Sequence, residues 1–176
     1  MKNKASVLLI IMFSVIIVAF LFIRQKDSQK ITSVGSSVPD VELVGIDAKK
    51  INLSDLRGFV VFINFWATWC ESCVDEMPSI ENLYNLFSEN SNFKLMTVIY
   101  RDSGNNAFKY MKENGYSFPV YLNPDGTAAK KFGITGIPES FIIDKNGILR
   151  EKVIGPAEWD SPHFIEIFKN LLNEPV

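Results

Sequence analysis

Apolar residues recur along this chain with three different periods. Ala5 to Ile23 is a mostly apolar run of 19 residues without a charge. Phe59–Trp66 (FVVFINFW) and Phe93–Tyr100 (FKLMTVIY) are shorter, nearly continuous and rich in β-branched and aromatic residues. That is how strands buried on both faces read. Met77, Ile80, Leu83, Tyr84 and Phe87 follow at helical spacing. Asn105–Asn114 predicts a second helix, with Ala107, Phe108 and Met111 on its inner face and Gly115 as its stop. Val120–Leu122 is a short strand, and Thr127–Phe132 a short helix ending at Gly133. Ser140–Ile143 and Ile148–Ile154 are strands joined through Asp144-Lys145-Asn146-Gly147, where Asn-Gly favours a hairpin. Ser161–Leu172 closes the chain as an amphipathic helix, with Ser161 as N-cap and Pro162 in its first turn. Phe164, Ile165, Phe168, Leu171 and Leu172 form its inner face. Val38–Asp55 reads as an N-terminal hairpin broken at Gly45-Ile46-Asp47.

Strands alternating with helices predict an α/β domain: a central mixed sheet, parallel at its core, with helices on both faces. The first run predicts one transmembrane helix before it. Nineteen helical residues reach about 28 Å, close to the thickness of a bilayer's hydrocarbon. The run exceeds the core of a cleaved signal peptide and ends in Phe20-Leu21-Phe22-Ile23, without a small-x-small site. No cysteine lies near its end to carry a lipid. The organisation expected is a cytoplasmic head at 1–4, a signal anchor at 5–23, a polar tether at 24–37 and a folded domain at 38–176. Basic residues flank the anchor on both sides, so charge does not orient it. A four-residue head is easiest to leave in the cytoplasm, which puts the domain on the extracytoplasmic side.

Composition narrows the chemistry. Lys and Arg total 18, Asp and Glu total 20, and the formal charge is −2. Residues 1–30 hold five of the basic and one of the acidic residues, so the remainder carries 13 and 19. A mildly acidic domain gives no electrostatic footprint for nucleic acid. One histidine, His163, and two cysteines cannot supply a four-ligand zinc site, and no metal is expected.

Both cysteines lie in Cys70-Glu71-Ser72-Cys73, where a buried strand hands over to a helix. As a staple, so small a loop is worth only about 2 kcal/mol. Haem attachment needs histidine after the second cysteine, and Val74 stands there. A redox-active dithiol remains, needing no cofactor beyond its own disulfide. Cys70 falls at the helix N-terminus, where unpaired N–H groups stabilise a thiolate. Cys73, one turn in, can resolve a mixed disulfide.

The stretch FWATWCESC resembles the active site of the thioredoxin superfamily, and Gly136-Ile137-Pro138 resembles its cis-proline loop. The extra β-α unit between them, the anchor and Glu76 resemble the TlpA/ResA/CcmG-like branch of extracytoplasmic thiol-disulfide oxidoreductases. The resemblance covers about residues 35–173. It implies a thioredoxin-like fold with an N-terminal hairpin and an inserted β-α unit. It implies a disulfide-containing protein as substrate, which for several members is apocytochrome c, and a membrane dithiol as electron donor. A monomer is expected. Cys70 and Cys73 are the implied catalytic pair. Asn64 stands where cytoplasmic thioredoxins carry a buried Asp. Glu76 stands where the reducing members use a carboxylate in thiol acid-base chemistry, and its replacement by Gln is expected to lower the thiol pKa values with little effect on stability; its bland alternative is a solvated first-turn Glu. Trp69 would be an exposed platform, with Ile137 and Pro138 beside the substrate and Trp66 in the core. Pro78 would kink the active-site helix. Glu139 resembles the Pro-Glu pair of the cytochrome-maturation members, or is an exposed loop charge. Trp159-Asp160 reads as packing, and His163 as a surface residue.

Ser72 departs from the proline usual before the second cysteine. Its hydroxyl can hydrogen-bond a thiolate, whereas Glu71 opposes one, so both tune the couple. The leading expectation is a membrane-tethered reductase of disulfides. The alternatives are a disulfide-donating oxidase and a non-catalytic binder of Cys-containing unfolded peptides. No Pro-x-x-x-Thr-x-x-Cys arrangement precedes Cys70 to suggest a peroxidase.

Overall fold

The central strand is β3 (Val60–Trp66), buried along its whole length. In the computed structural model, which describes residues 11–18 and 32–175, it lies inside a seven-stranded sheet ordered β2-β1-β5-β4-β3-β6-β7. The other strands are β1 (Glu42–Gly45), β2 (Lys50–Asn52), β4 (Phe93–Ile99), β5 (Val120–Leu122), β6 (Glu139–Ile143) and β7 (Leu149–Ile154). Strands β3, β4 and β5 are parallel, with Val60 opposite Phe93 and Thr97 opposite Val120. The N-terminal hairpin β1–β2 joins antiparallel to β5, and β6–β7 antiparallel to β3. The helices are α1 (Glu71–Phe87), α2 (Gly104–Asn114), α3 (Thr127–Phe132) and α4 (Pro162–Asn173).

Alternation along β3 divides the core in two. Phe62 and Trp66 belong to the cluster with Met77, Ile80 and Leu83 of α1, Met111 of α2 and Phe168 of α4. Val61, Ile63 and Phe65 belong to the cluster with Phe132 of α3 and Leu53 and Leu56 of the short 3-10 turn after β2. A one-residue slip in register would exchange the two sets, so both faces pin the strand. Gly115 and Gly133 end α2 and α3 at φ 71° and 72°, a left-handed conformation that favours glycine.

Some expectations are corrected. Phe108 is 56% exposed, because the inner stripe of α2 is Ala107 and Met111, one turn apart. Ser161 occupies the N-cap position of α4 but makes no side-chain cap bond; Pro162 opens the helix. The end of the expected tether already belongs to the domain. Gly35 N–H donates to Leu149 O, Leu149 N–H donates to Ser36 O, and Ser37 bridges Ile148. The chain accordingly divides into two units, Met1–Lys30 and Ile31–Val176. Of the expected membrane span, only residues 11–18 are described; they are helical, and the rest of that span lies outside the described residues. Among the described residues no helix is long and apolar enough to cross a membrane.

Candidate active site

β3 delivers its last residue, Trp66, into the core and releases the chain at Ala67. The connecting loop is tied down from the next strand. Asp102, just beyond β4, accepts from Thr68 N–H at 2.9 Å and Thr68 Oγ1 at 2.5 Å. It also accepts from Ser103 N–H and Asn106 Nδ2, each at 2.7 Å. Partial burial raises its carboxyl pKa, but these four donors outweigh it and hold the carboxyl below its usual range. Trp69 is 60% exposed, and its Nε1–H donates to Arg101 O at 3.2 Å, which fixes the indole beside Cys70.

Cys70 is the N-cap of α1 and accepts from Cys73 N–H at 3.2 Å through Sγ. The two cysteines form a disulfide. Cys70 is 8% exposed and Cys73 is fully buried, so one sulfur is reachable and the other is shielded. Ser72 Oγ lies 3.6 Å from Cys70 Sγ, within the looser reach of a sulfur hydrogen bond. Glu71 is exposed. The Ile137–Pro138 peptide is cis, and Ile137 O lies 3.7 Å from Cys70 Sγ. Loop and dithiol, 67 residues apart, therefore meet.

Beneath the dithiol, one turn past Cys73, Glu76 is 3% exposed. Its Oε1 accepts from Asn64 Nδ2 at 2.7 Å, and its Oε2 from Trp159 Nε1 at 2.9 Å and Ala157 N–H at 3.1 Å. The solvated-face reading of Glu76 is overturned: α1 buries that face against β3 and the segment after β7. Burial raises its pKa to about 7, against the lowering effect of Trp159, Ala157 and Asn64. Asn64 also donates to Ser140 Oγ at 2.8 Å, while its Oδ1 has no partner among the described residues. Pro78 lies inside α1, where it cannot donate to Val74 O.

Glu139 is not an exposed loop charge. It opens β6 opposite Phe65, is 1% exposed, and is ion-paired to Lys152 at 2.6 Å. Phe65 belongs to the cluster on the other side of the sheet from α1, so sheet alternation turns Glu139 away from Glu76. His163 is exposed. Sequence reasoning missed Trp159, Ala157, Ser140 and Asp102. Trp159 does pack, 4.7 Å from Phe62 and 4.4 Å from Phe164, but it is also a hydrogen-bond donor to Glu76. The one available signal was general: a buried Trp needs a partner for its N–H.

Comparison with known proteins agrees with this geometry. The AhpC/TSA family profile matches residues 34–152. The thiol-disulfide oxidoreductase ResA of Bacillus subtilis is 35% identical over 123 residues, 70% of this chain and 68% of that one. ResA of Geobacillus thermodenitrificans is 32% identical over 123 residues, 70% of each chain. The crystal structure of a thiol:disulfide interchange protein of the thioredoxin family from Chlorobium tepidum superposes with a TM-score of 0.67 and 27% identity, covering 80% of this chain and 99% of that one. This chain belongs to the AhpC/TSA family and is a thiol-disulfide oxidoreductase of thioredoxin-like fold.

Proposed function

We propose that this AhpC/TSA-family oxidoreductase is a membrane-anchored, extracytoplasmic reductase of disulfides in protein substrates. Apocytochrome c before haem attachment is the substrate class proposed. The observation that carries the reading is the asymmetry of the two sulfurs: Cys70 is reachable beside the Ile137–Pro138 loop, and Cys73 is shielded above the buried Glu76.

In the reduced enzyme the Cys70 thiolate attacks one sulfur of the substrate disulfide. A mixed disulfide forms and one substrate thiolate leaves. Cys73 gives up its proton and attacks Cys70 Sγ, expelling the second substrate thiolate. Two electrons have then passed to the substrate, whose two thiolates take up the proton that Cys73 released and one from solvent, and the enzyme holds the Cys70–Cys73 disulfide. The α1 N-terminus and the Cys73 N–H favour the Cys70 thiolate. Glu76, titrating near neutral pH, is the proton carrier for the inner sulfur. Trp69, Ile137 and Pro138 form the substrate platform, and a dithiol protein of the membrane restores the reduced state. Residues 5–23 are the anchor, and the catalytic domain works as a monomer.

The Cys73→Ala variant cannot resolve the mixed disulfide. In cells it is expected to accumulate adducts on Cys70 with a secreted or membrane-bound Cys-containing protein. Absence of adducts, together with no disulfide exchange by the wild-type protein on a generic substrate, would leave only the binding reading. A reduction potential below about −250 mV supports reduction, whereas one near −120 mV would make the protein a disulfide donor.

A further inference from the structure

The segment after β7 touches both halves of the site. Gly155 N–H donates to Pro138 O at 2.9 Å, tying the segment to the cis-proline loop. Two residues on, Ala157 N–H reaches Glu76 Oε2, and Ser79 Oγ, whose proton goes to Glu76 O at 2.8 Å, lies 3.3 Å from Ala157 O. Trp159 N–H then donates to Ser79 Oγ at 3.1 Å, and its indole Nε1–H to the same Glu76 Oε2. Its ring is fully buried between Phe62 and Phe164. Residues 155–159 thus form a strap from the cis-proline loop to α1, and the strap ends in a locked side chain. A locked donor resists turning away when the carboxyl changes charge.

We propose that Trp159 is a positioning residue for the redox site: its indole N–H, presented by the strap 155–159, orients Glu76 and sets how firmly that carboxyl holds its proton. The inference rests on Glu76 being the proton carrier. Among the described residues the polar groups facing Glu76 are these. From β3 it is Asn64, and behind it Ser140 of β6; from the strap, Ala157 and Trp159; on its own helix, the Cys70–Cys73 pair one turn away. Glu71, Asp75 and Glu158 lie at the surface, and Asp160 accepts from Asn82 Nδ2 at 2.8 Å. His163 is exposed but meets Phe164 edge-on, and Phe164 packs on Trp159, so it is the titrating neighbour to control for.

The oxygen already served by two donors, Oε2, is the poorer place for a proton, so protonation falls on Oε1. Removing the indole donor removes an interaction that favours the charged form. The proton affinity of Glu76 then rises.

The test uses the oxidised full-length chain, whose cysteines do not titrate. The Trp159 indole N–H resonance and the Glu76 carboxyl carbon resonance are followed by NMR between about pH 5 and pH 9. Both should move with one midpoint near 7. The indole movement should persist in His163→Gln and vanish in Glu76→Gln. In Trp159→Phe the carboxyl midpoint should rise by about one pH unit, the worth of a charged buried hydrogen bond. The pH profile of disulfide exchange by the reduced protein should shift in the same direction. It should not shift further when Trp159→Phe is added to Glu76→Gln. An unchanged carboxyl midpoint in Trp159→Phe, or an equal effect of Trp159→Phe in the Glu76→Gln background, overturns the proposal. If Trp159→Phe fails to fold, an indole resonance that stays flat in the wild type overturns it, and one that tracks Glu76 supports it. An indole that tracks Glu76 while Glu76→Gln leaves the exchange profile untouched supports the positioning and refutes the proton-carrier role.

Discussion

Replacing Glu76 by Gln should change the pH dependence of stability more than any other exchange at the site. Folding raises the Glu76 carboxyl from 4.5 to about 7, because burial penalises its charge more than its three donors favour it. Between those two values the native protein holds a proton that the unfolded chain has released. Stability from this group is therefore complete below about pH 4.5, falls as pH rises, and levels off above about pH 7. At 1.36 kcal/mol per unit, the loss is about 3 kcal/mol. The glutamine of Glu76→Gln fits the same space. Its carbonyl oxygen takes the Ala157 and Trp159 donors, and its amide faces Asn64, whose Oδ1 lacks a partner among the described residues and becomes available if that side chain turns over. The assay is urea unfolding of the oxidised unit Ile31–Val176, wild type and variant, from about pH 4 to pH 9. The stability difference should swing by about 3 kcal/mol in favour of the variant as pH rises, contrary to the small effect on stability expected from the sequence, where the burial of Glu76 is not visible. Parallel stability curves would show that Glu76 keeps its ordinary proton affinity on folding, and the buried-carboxyl argument would fail.

Alkylation of the reduced protein near neutral pH should label Cys70 ahead of Cys73, read by mass spectrometry of peptides; the reverse order would exchange their proposed roles. A chain beginning at Ile31 should unfold cooperatively, exchange disulfides with a generic substrate and leave the membrane fraction. Loss of cooperative unfolding in it would show that residues 1–30 support the core. Asp102→Ala should cost about 1 kcal/mol by removing the acceptor of the half-buried Thr68 donors, and should slow disulfide exchange by loosening the loop before Cys70. The wild-type contribution of Asp102 is present above the unfolded carboxyl pKa and is lost as pH falls through its lowered folded value, so the stability gap should narrow in acid.

How legible the protein is depends on how local each feature is. β3 announces itself because a strand buried on both faces must be apolar at nearly every position, and Val60–Trp66 is. The helix start at Cys70 and the stops at Gly115 and Gly133 are short-range signals, and they hold in the structure. Phe108 is misplaced by its pattern because a short helix shows too few turns to fix which flank of its apolar stripe faces inward. Glu139 misleads because a charge next to a loop proline looks solvated until its partner is known, and Lys152 arrives only through the pairing of β6 with β7.

The sequence by itself determined the α/β alternation, the dithiol at the head of a helix, and the candidate proline opposite it. All three rest on residues close together in the chain or on a motif. What tertiary structure alone decided is the environment of Glu76. Its three donors come from positions 12, 81 and 83 residues away, and no periodicity links them. A carboxylate's proton affinity is set by the water it loses and the donors it gains. Both are decided when β3, α1 and the segment after β7 pack together.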